Sequence, residues 1–437
     1  MAASPGLRAA VRALGSRNYR LFFIGQSISL IGTWMTRIAT SWLVYRLSDS
    51  AFLLGLVSFA GQIPAFFFAP IAGVWIDRWN RRRTLVWTQA LSMIQSLALA
   101  GLALGHVIDI WSLALLTLMQ GLINAFDMPA RQAFVVEMID DRADLGNAIA
   151  LNSSMVNGAR LIGPAIGGIV IAAVGEGYCF LIDGVSYIAV IISLLLMTVR
   201  PRAVAVERKR VFEELAEGWR YVIESAAIRS ILGMLALVSL IGMPYQVLMP
   251  MIAGNVLHGG PHTLGFLMGM SGVGALASAI SLALRRSVVG LGRMIAISSG
   301  VFGVGLIAFG LSRSLWLSLP LMLATGFGMM QQMAASNTIL QTIVADDKRG
   351  RVMSFYTLAV LGITPIGSLI AGSLASKIGA PATLILGGSV VAAAAAVFTL
   401  QLPALRREVR PIYAQLGIIP EVAAGIQSAS AMQTPPE

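Results

Sequence analysis

Long stretches without charged side chains constrain the fold of this sequence more than any other feature. Six stretches contain no Asp, Glu, Lys or Arg at all: 50 to 76, 84 to 108, 230 to 284, 314 to 345, 352 to 376 and 378 to 405. Runs of this length can cross a bilayer, and a chain that is 57% hydrophobic and 12% charged does not fit a soluble protein. The pattern therefore favours a membrane protein over a water-soluble enzyme.

Apolar runs of about 20 residues predict twelve transmembrane helices. The predicted spans are 20 to 46, 52 to 76, 84 to 105, 109 to 127, 147 to 173, 178 to 199, 229 to 253, 262 to 284, 293 to 311, 315 to 336, 352 to 376 and 381 to 402. A β-barrel also satisfies every backbone group in lipid, but its strands alternate in polarity, whereas these runs are continuously apolar. We therefore predict an all-α membrane protein with two pseudo-symmetric halves of six helices.

Polar interruptions divide the chain further. The predicted regions are an N-terminal tail (1 to 19), a first half (20 to 199), a linker (200 to 228), a second half (229 to 402) and a C-terminal tail (403 to 437). Apolar residues at helical spacing in the linker predict an amphipathic helix, which either lies on the membrane face or is solvated. The polar C-terminal tail is expected to be largely disordered.

The basic residues are distributed unevenly across the predicted bundle. Of the 31 Lys and Arg residues, 26 lie in loops or tails on the side of both termini, three lie in loops on the opposite side, and Arg37 and Arg160 lie within helices. This bias places both termini in the cytoplasm. We expect the chain as a whole to be a protein of the bacterial inner membrane. Because the basic clusters alternate with apolar runs, the net charge of +11 is not attributed to nucleic-acid binding.

Few residues in this sequence are suited to metal or catalytic chemistry. Cys179 is the only cysteine, and the three histidines, His106, His258 and His262, have no ligand-like spacing. No paired carboxylates, His pair or Ser/Lys pair occur at mid-helix depth. We therefore expect no metal site, no cofactor and no enzymatic activity.

Two short motifs indicate the family. The loop between the second and third helices combines Gly73, Asp77, Arg78, Arg81 and Arg82. The acid among the arginines suggests a latch that pairs with a basic residue of a neighbouring helix, for which Arg131 is a candidate. The fifth helix contains Gly163, Pro164, Gly167 and Gly168, which allow bending and close helix packing.

The first motif resembles the signature of the major facilitator superfamily, and the second resembles the antiporter motif of its exporters. Further stretches at 32 to 35, 41 to 44 and 127 to 134 look like the branch with enterobactin exporters and macrolide-efflux proteins. The sequence departs from the pattern at Trp75, where an aliphatic residue is usual, at Asn80, where a glycine is usual, and at Thr117, where the family has a proton-transfer arginine. The resemblance implies alternating access, with the loop as a cytoplasmic gate.

Polar residues recur at helical spacing on helices one, four and five, and they are expected to face a central cavity. The candidates for binding cargo are Gln26, Thr33, Arg37, Asn124, Asn157 and Arg160. The alternative is that these side chains only join helices through hydrogen bonds. A charge inside the bilayer is costly, so Arg37 and Arg160 are the first choices, with Asp183 as a possible partner of Arg37.

Acidic residues limit the cargo and the coupling mechanism. Between residues 229 and 405 the only acids are Asp346 and Asp347, so a basic cavity would favour anionic or polar neutral cargo. Asp127 and Asp183 are the plausible proton carriers within helices, and Asp127→Asn is expected to abolish proton-driven export without affecting folding.

The sequence thus predicts a monomeric secondary active exporter of siderophore-like metabolites or drugs, driven by proton antiport. Two alternatives remain open: a flippase for lipids or lysolipids, and a membrane scaffold or sensor without transport activity.

Overall fold

A computed structural model of the chain describes residues 12–198, 211–285 and 287–418. Within helices, the side chains of residues 69–71, 73–74, 77–78 and 211–216 are not described. Helices, turns and short connections account for all of the described part, which confirms the all-α class.

Twelve long helical segments cross the bundle in the described part of the chain, as predicted. They are α1 (Arg17–Ser48), α2 (Ala51–Arg78), α3 (Arg81–Leu104), α4 (Ile110–Phe134), α5 (Leu145–Val174), α6 (Glu176–Leu196), α7 (Ala226–Val256), α8 (Pro261–Ala283), α9 (Leu291–Leu311), α10 (Leu315–Ile343), α11 (Arg349–Ile378) and α12 (Ala380–Gln415). Ten of them have the length and the hydropathy of a membrane-spanning helix. The other two, α1 and α10, contain more polar residues, several of which are buried against protein.

Two helix ends differ from the sequence-based prediction. Helix α4 continues past residue 127 to Phe134, so Asp127 and Arg131 lie one turn apart on the same helix. Helix α12 continues past residue 402 to Gln415. The expectation of disorder from residue 403 is therefore wrong for 403 to 415, because Leu405, Val409 and Tyr413 give this extension a buried apolar face. Residues 419–437 lie outside the described part.

The predicted amphipathic linker helix is present over Val211–Glu224. Its Glu217 forms an ion pair with Arg351 at the start of α11, and Trp219 packs against Phe355 with 5.7 Å between ring centroids. Val222 is buried. The linker helix therefore packs on the second half, and residues 200–210 of the linker lie outside the described part.

Each half is built from helices that pack in a repeated pattern. In the first half α1 packs on α5 and α6, α3 packs on α4 and α6, and α2 packs on α4. In the second half α9 packs on α10 and α12, and α8 packs on α10. The halves meet along α5 with α8 and α2 with α11. Two glycine pairs make these contacts possible: a Cβ added to Gly168 would lie 2.9 Å from Gly265 Cα, and one added to Gly55 would lie 3.0 Å from Gly372 Cα.

These glycine pairs lie near the end of the bundle away from Arg12 and Ile418, which we call the far side. There the Asn255 side chain of α7 contacts the first half: its amide donates to Asp49 at 3.0 Å, and its oxygen accepts from Tyr45. The opposite end, which we call the terminal side, holds the contact of Asn18 with Thr198 at 3.0 Å. The halves are thus joined closely at the far side.

We predict that Gly168→Val disrupts the close contact between the halves at the far side, because its Cβ would lie 2.6 Å from the Pro261 carbonyl oxygen. Gly158→Val on the same helix is the matched control, since a Cβ there has no neighbour within 4 Å. The first variant should lose about 1–3 kcal/mol of stability relative to the control. Thermal unfolding of both purified proteins in the same detergent measures this difference, and equal melting temperatures would contradict the described packing.

Candidate functional site

Two arginines from different helices of the first half meet at one aromatic ring. The Arg37 Cζ atom of α1 lies 4.8 Å from the centroid of the Trp34 ring, and the Arg160 Cζ atom of α5 lies 5.8 Å from it. Cations over an indole face are attracted by its electron-rich surface. The structure therefore brings the two sequence-predicted arginines together through a tryptophan. We call Trp34, Arg37 and Arg160 the arginine–tryptophan cluster.

The cluster lies deep in the bundle. Arg160 is about 22 Å along α5 from its first residue, and Arg37 is about 16 Å from the far-side end of α1. Among the described residues, neither guanidinium group makes a hydrogen bond or an ion pair, and the Arg37 side chain is exposed. The predicted partner of Arg37, Asp183, does not pair with it. Two positive charges therefore stand close together without a negative partner in the described structure.

Close helix packing positions this cluster. A Cβ added to Gly163 of α5 would lie 2.4 Å from Trp34 Cβ, and one added to Gly167 would lie 3.1 Å from Met35 Cα. Both glycines are buried. Because no side chain separates the helices at these positions, α5 approaches α1 closely enough for Arg160 to reach the indole ring of α1. The glycines of the antiporter-like motif thus hold α5 between α1 and α8.

The other predicted cargo-binding residues are not gathered into this cluster. Gln26 is buried, and the Thr33 hydroxyl donates to the Ser29 carbonyl at 3.1 Å. Asn157 donates to the carbonyl of Ser153, one turn earlier on α5, at 2.9 Å. Asn124 is exposed on α4 and accepts from Gln120 at 3.2 Å. These hydrogen bonds of Thr33, Asn157 and Asn124 each lie within a single helix, so they are not the contacts between helices that the alternative interpretation expects.

Asp127 lies in a network between α3 and α4. Its carboxylate forms an ion pair with Arg131 and accepts hydrogen bonds from Thr88 at 2.8 Å and Gln89 at 2.7 Å. The residue is only 2% exposed. A buried carboxylate with a cation and two donors stabilises the contact between these helices. The network makes Asp127 a structural residue and a less suitable proton carrier than expected.

Asp183 is also 2% exposed but has a different environment. One carboxylate oxygen, Oδ2, accepts from the Ser96 hydroxyl of α3 at 3.0 Å. The other, Oδ1, is buried without a hydrogen-bond partner among the described residues. Gly32 of α1 packs directly against this carboxylate. This acid therefore has hydroxyl neighbours where Asp127 has a cation.

The basic residues of the predicted cytoplasmic gate make several contacts on the terminal side. Arg81 pairs with Glu137, which follows α4, at 2.6 Å. Arg82 donates to the carbonyls of Leu194 and Leu195 at the end of α6, both at 2.7 Å. These contacts join α3 to α4 and α6. The side chains of Gly73, Asp77 and Arg78 lie outside the described residues, so the latch between Asp77 and Arg131 stays a prediction.

Two of the three departures from the superfamily pattern, Asn80 and Trp75, have physical explanations. The Asn80 side chain accepts from the backbone N–H of Arg83 at 3.0 Å and so caps the start of α3, which a glycine cannot do. Trp75 stacks on Phe126 of α4, with 6.0 Å between ring centroids. An aromatic contact therefore replaces the usual aliphatic contact between α2 and α4.

Sequence reasoning missed three residues that the structure shows to be important. Trp34 joins the two arginines, and its spacing of three residues from Arg37 was an available signal. Glu137 is the partner of Arg81. Glu408 on the α12 extension accepts from Ser225 at 2.7 Å and from the Ala227 N–H at 3.1 Å, and so caps the start of α7. No local sequence pattern indicates a role for Glu137 or Glu408, because their partners are distant in sequence.

Comparison with known proteins assigns the chain to a family. Residues 9–425 match the family described as transmembrane secretion effector. The chain belongs to this family of the major facilitator superfamily. The match confirms the resemblance found in the sequence, and it makes the chain a multi-pass membrane transporter and not an enzyme.

The relatives are exporters of the same superfamily. The staphyloferrin A transporter of Staphylococcus aureus is 24% identical over 82% of this chain and 90% of the relative. The multidrug efflux pump Tap of Mycobacterium tuberculosis is 28% identical over 88% of this chain and 93% of the relative. Macrolide efflux protein A of Streptococcus pyogenes is 20% identical over 86% of this chain and 94% of the relative. The chain is accordingly a secondary active exporter.

Solved structures show the same fold. The nucleoside transporter NupG superposes with a TM-score of 0.70 at 13% identity, covering 88% of this chain and 98% of that one. A bacterial homologue of the iron transporter ferroportin in an inward-facing state superposes with a TM-score of 0.67 at 16% identity, with the same coverage of both chains. These likenesses support the all-helical fold of a major facilitator transporter.

We predict that Asp127→Asn destabilises the protein, which replaces the expectation that folding would be intact. The change removes the negative charge that Arg131 pairs with, at a cost of about 3 kcal/mol for a largely buried pair. Asp346→Asn is the control, because its pair with Arg349 is exposed and such pairs contribute about 0–1 kcal/mol. Thermal unfolding should show a larger loss of stability for Asp127→Asn than for Asp346→Asn. Equal losses of stability would show that the buried pair has no special structural role.

Proposed function

We propose that this transporter exports a small anionic or polar neutral organic compound, such as a siderophore-like metabolite or drug, and that the arginine–tryptophan cluster binds it. The observation that carries this proposal is the pair of guanidinium groups without an ionic partner at Trp34. A charge inside the membrane is costly unless it is paired or solvated. An anionic group of the cargo would supply the missing negative charge.

The chemistry of the cluster favours carboxylate or phosphate groups. Arginine presents several N–H donors in a plane, which matches these oxyanions in a bidentate contact. Trp34 adds a flat apolar surface for the carbon skeleton of the cargo. The relatives named staphyloferrin A transporter and macrolide efflux protein A agree with an organic compound as cargo. A cationic drug would be repelled by the two arginines.

We infer the direction of access from the charge bias. The 26 basic residues on the terminal side and three on the far side favour termini in the cytoplasm of a bacterium, with the protein in the inner membrane. The far side is then the outside. The glycine pairs at Gly55 and Gly168 close that side, so the described conformation would admit cargo from the cytoplasm.

The conformational cycle would then use the predicted gate. Closing the cytoplasmic side brings the second half against the terminal-side ends of α2 and α4, where Asp77, Arg78 and Arg131 lie. Arg81 and Arg82 hold the neighbouring ends of α3, α4 and α6 together. Opening the far side requires α5 and α8 to separate at Gly168, and Pro164 one turn earlier would allow α5 to bend. We propose a monomer as the working unit.

Proton antiport is the proposed driving mechanism, with Asp183 as the preferred carrier. Asp127 already has Arg131 as its cation, whereas Asp183 has hydroxyl neighbours and can exchange a proton without breaking an ion pair. Asp183 also lies against α1, the helix that provides Trp34 and Arg37.

The proposal predicts that an anionic compound dissipates the proton gradient of everted membrane vesicles that contain this protein. A pH-sensitive dye reports the gradient while an anionic hydroxycarboxylate, a neutral macrolide, a cationic dye and a lysolipid are added in turn. Arg160→Ala should weaken the response to the anionic compound at least about tenfold, because a hydrogen bond to a charged group contributes about 1.5–3 kcal/mol. Arg37→Ala should act in the same direction.

The control is Arg313→Ala, since Arg313 binds the carbonyls of Gly310 and Ser312 in a loop far from the cluster. This variant should respond like the wild type. An Arg160→Ala variant that behaves like Arg313→Ala would refute the binding role of the cluster. A response to the lysolipid alone would instead favour a flippase.

A further inference from the structure

We propose that the hydroxyl groups of Tyr245 on α7 and Ser271 on α8 form a second-half contact for the anionic group of the cargo, and that this contact is made as the far side opens. The inference rests on the proposed function, because it names further side chains that recognise the same cargo. The arginine–tryptophan cluster belongs entirely to the first half. We call Tyr245 and Ser271 the hydroxyl pair.

The hydroxyl pair lies at the depth of the arginine–tryptophan cluster, across the contact between the halves. Tyr245 is about 16 Å from the far-side end of α7, and Ser271 is about 15 Å from the far-side end of α8. A Cβ added to Gly272 would lie 2.8 Å from Leu161 Cα and 3.2 Å from the Arg160 carbonyl oxygen. The Tyr245 side chain also interacts electrostatically with Arg160. The pair is therefore a neighbour of Arg160 in the other half.

The hydroxyl pair has one more proton than its hydrogen bonds use. Tyr245 Oη and Ser271 Oγ are 2.9 Å apart, and either oxygen can be the donor. Their mutual bond uses one of the two hydroxyl protons, and neither group makes another hydrogen bond to the described residues. Tyr245 is 2% exposed and Ser271 is 3% exposed. A buried donor without an acceptor costs free energy, so an acceptor that reaches this proton gains a hydrogen bond without breaking one.

Hydrogen-bond donors are in excess on both sides of this interface. The two arginines of the cluster carry N–H groups without an acceptor in the described structure, and the hydroxyl pair adds one O–H group. The acids between residues 229 and 405 all lie in the loop before α11, so no carboxylate of the second half occurs at this depth. An oxyanion accepts from guanidinium and hydroxyl groups together. The pair can adapt to it, because Ser271 can donate to Tyr245 while Tyr245 donates to the anion.

Burial of the hydroxyl pair determines when it meets the cargo. In the described conformation α5 packs directly on Gly272, the neighbour of Ser271, and the pair is covered. Cargo that enters from the terminal side would therefore contact the arginines first. Separation of α5 from α8 opens the far side and uncovers the hydroxyl groups beside Arg160. A ligand shifts a conformational equilibrium only through its different affinities for the two states. The added hydrogen bond would provide this difference, so that bound cargo favours opening of the far side.

The first test separates transport from binding in the full-length protein, with radiolabelled citrate as a hydroxy-polycarboxylate probe. Tyr245→Phe removes the hydroxyl group but keeps the ring, whose centroid lies 6.0 Å from that of Phe302. Its maximal transport rate in proteoliposomes should fall at least about tenfold, as expected for the loss of a hydrogen bond to a charged group. Its Kd for citrate should change less than about twofold, because the covered hydroxyl group does not touch cargo before the far side opens. Arg160→Ala should instead weaken binding itself.

Tyr413→Phe is the matched control, because Tyr413 is a buried tyrosine on the terminal-side extension of α12, far from the cluster. This variant should transport citrate at the rate of the wild type. Equal rates for Tyr245→Phe and Tyr413→Phe would overturn the role of the hydroxyl pair and leave the arginine–tryptophan cluster in place. A Tyr245→Phe variant that loses binding as strongly as transport would also overturn it, since the hydroxyl group would then act before the far side opens. If the wild type transports neither citrate nor another oxyanion, the proposed cargo class falls and this inference falls with it.

The second test needs no cargo. Ser271→Cys introduces a thiol at the hydroxyl pair, and the native Cys179 is buried. A maleimide should label the new thiol at least about fivefold faster when Gly168→Val is added than when Gly158→Val is added, because labelling follows the population of the opened state. Equal labelling rates would overturn the proposal that separation of α5 from α8 uncovers the pair. Gly168→Val alone should leave Cys179 unlabelled, which distinguishes opening of the far side from unfolding.

Discussion

The close approach of α5 to α1 and α8 is the contact on which the rest of the structure depends. Gly163 lies against Trp34, and Gly168 lies against Gly265. The first contact brings Arg160 to the ring that Arg37 also contacts, and the second closes the far side of the bundle. Because lipid provides little hydrophobic force between helices, such small residues allow the packing that holds them together. Helix α5 therefore positions the arginine–tryptophan cluster and helps to close the far side of the bundle.

The charged residues discussed for the first half form two kinds of site. Asp127 with Arg131, and Arg81 with Glu137, are pairs that join helix ends and keep the half rigid. Arg37, Arg160 and Asp183 lack ionic partners among the described residues, and they lie on or beside α1. The paired charges stabilise helix contacts, whereas a charge without an ionic partner inside a membrane protein marks a candidate functional site. This division supports the assignment of cargo to the arginines and of the coupling ion to Asp183.

Hydropathy and charge bias predicted the twelve helices, because the membrane imposes the length of every span. Arg37 and Arg160 were found for a similar reason, since charges are rare within spans. The sequence could not predict that Trp34 joins them, or that Asp127 pairs with Arg131 and binds Thr88 and Gln89, because these contacts depend on how helices rotate and pack. The extension of α12 was missed because its apolar face is narrow and covers the start of α7.

The most direct test of the account is transport of a matched pair of compounds into proteoliposomes that contain the purified protein. One compound is a radiolabelled hydroxy-polycarboxylate, and the other is its methyl ester, which has the same skeleton without the negative charges. The account predicts that the carboxylate is transported faster than the ester, because only the carboxylate supplies the negative charge that Arg37 and Arg160 lack. Equal transport of both compounds, or transport of the ester alone, would contradict a cavity that recognises anions.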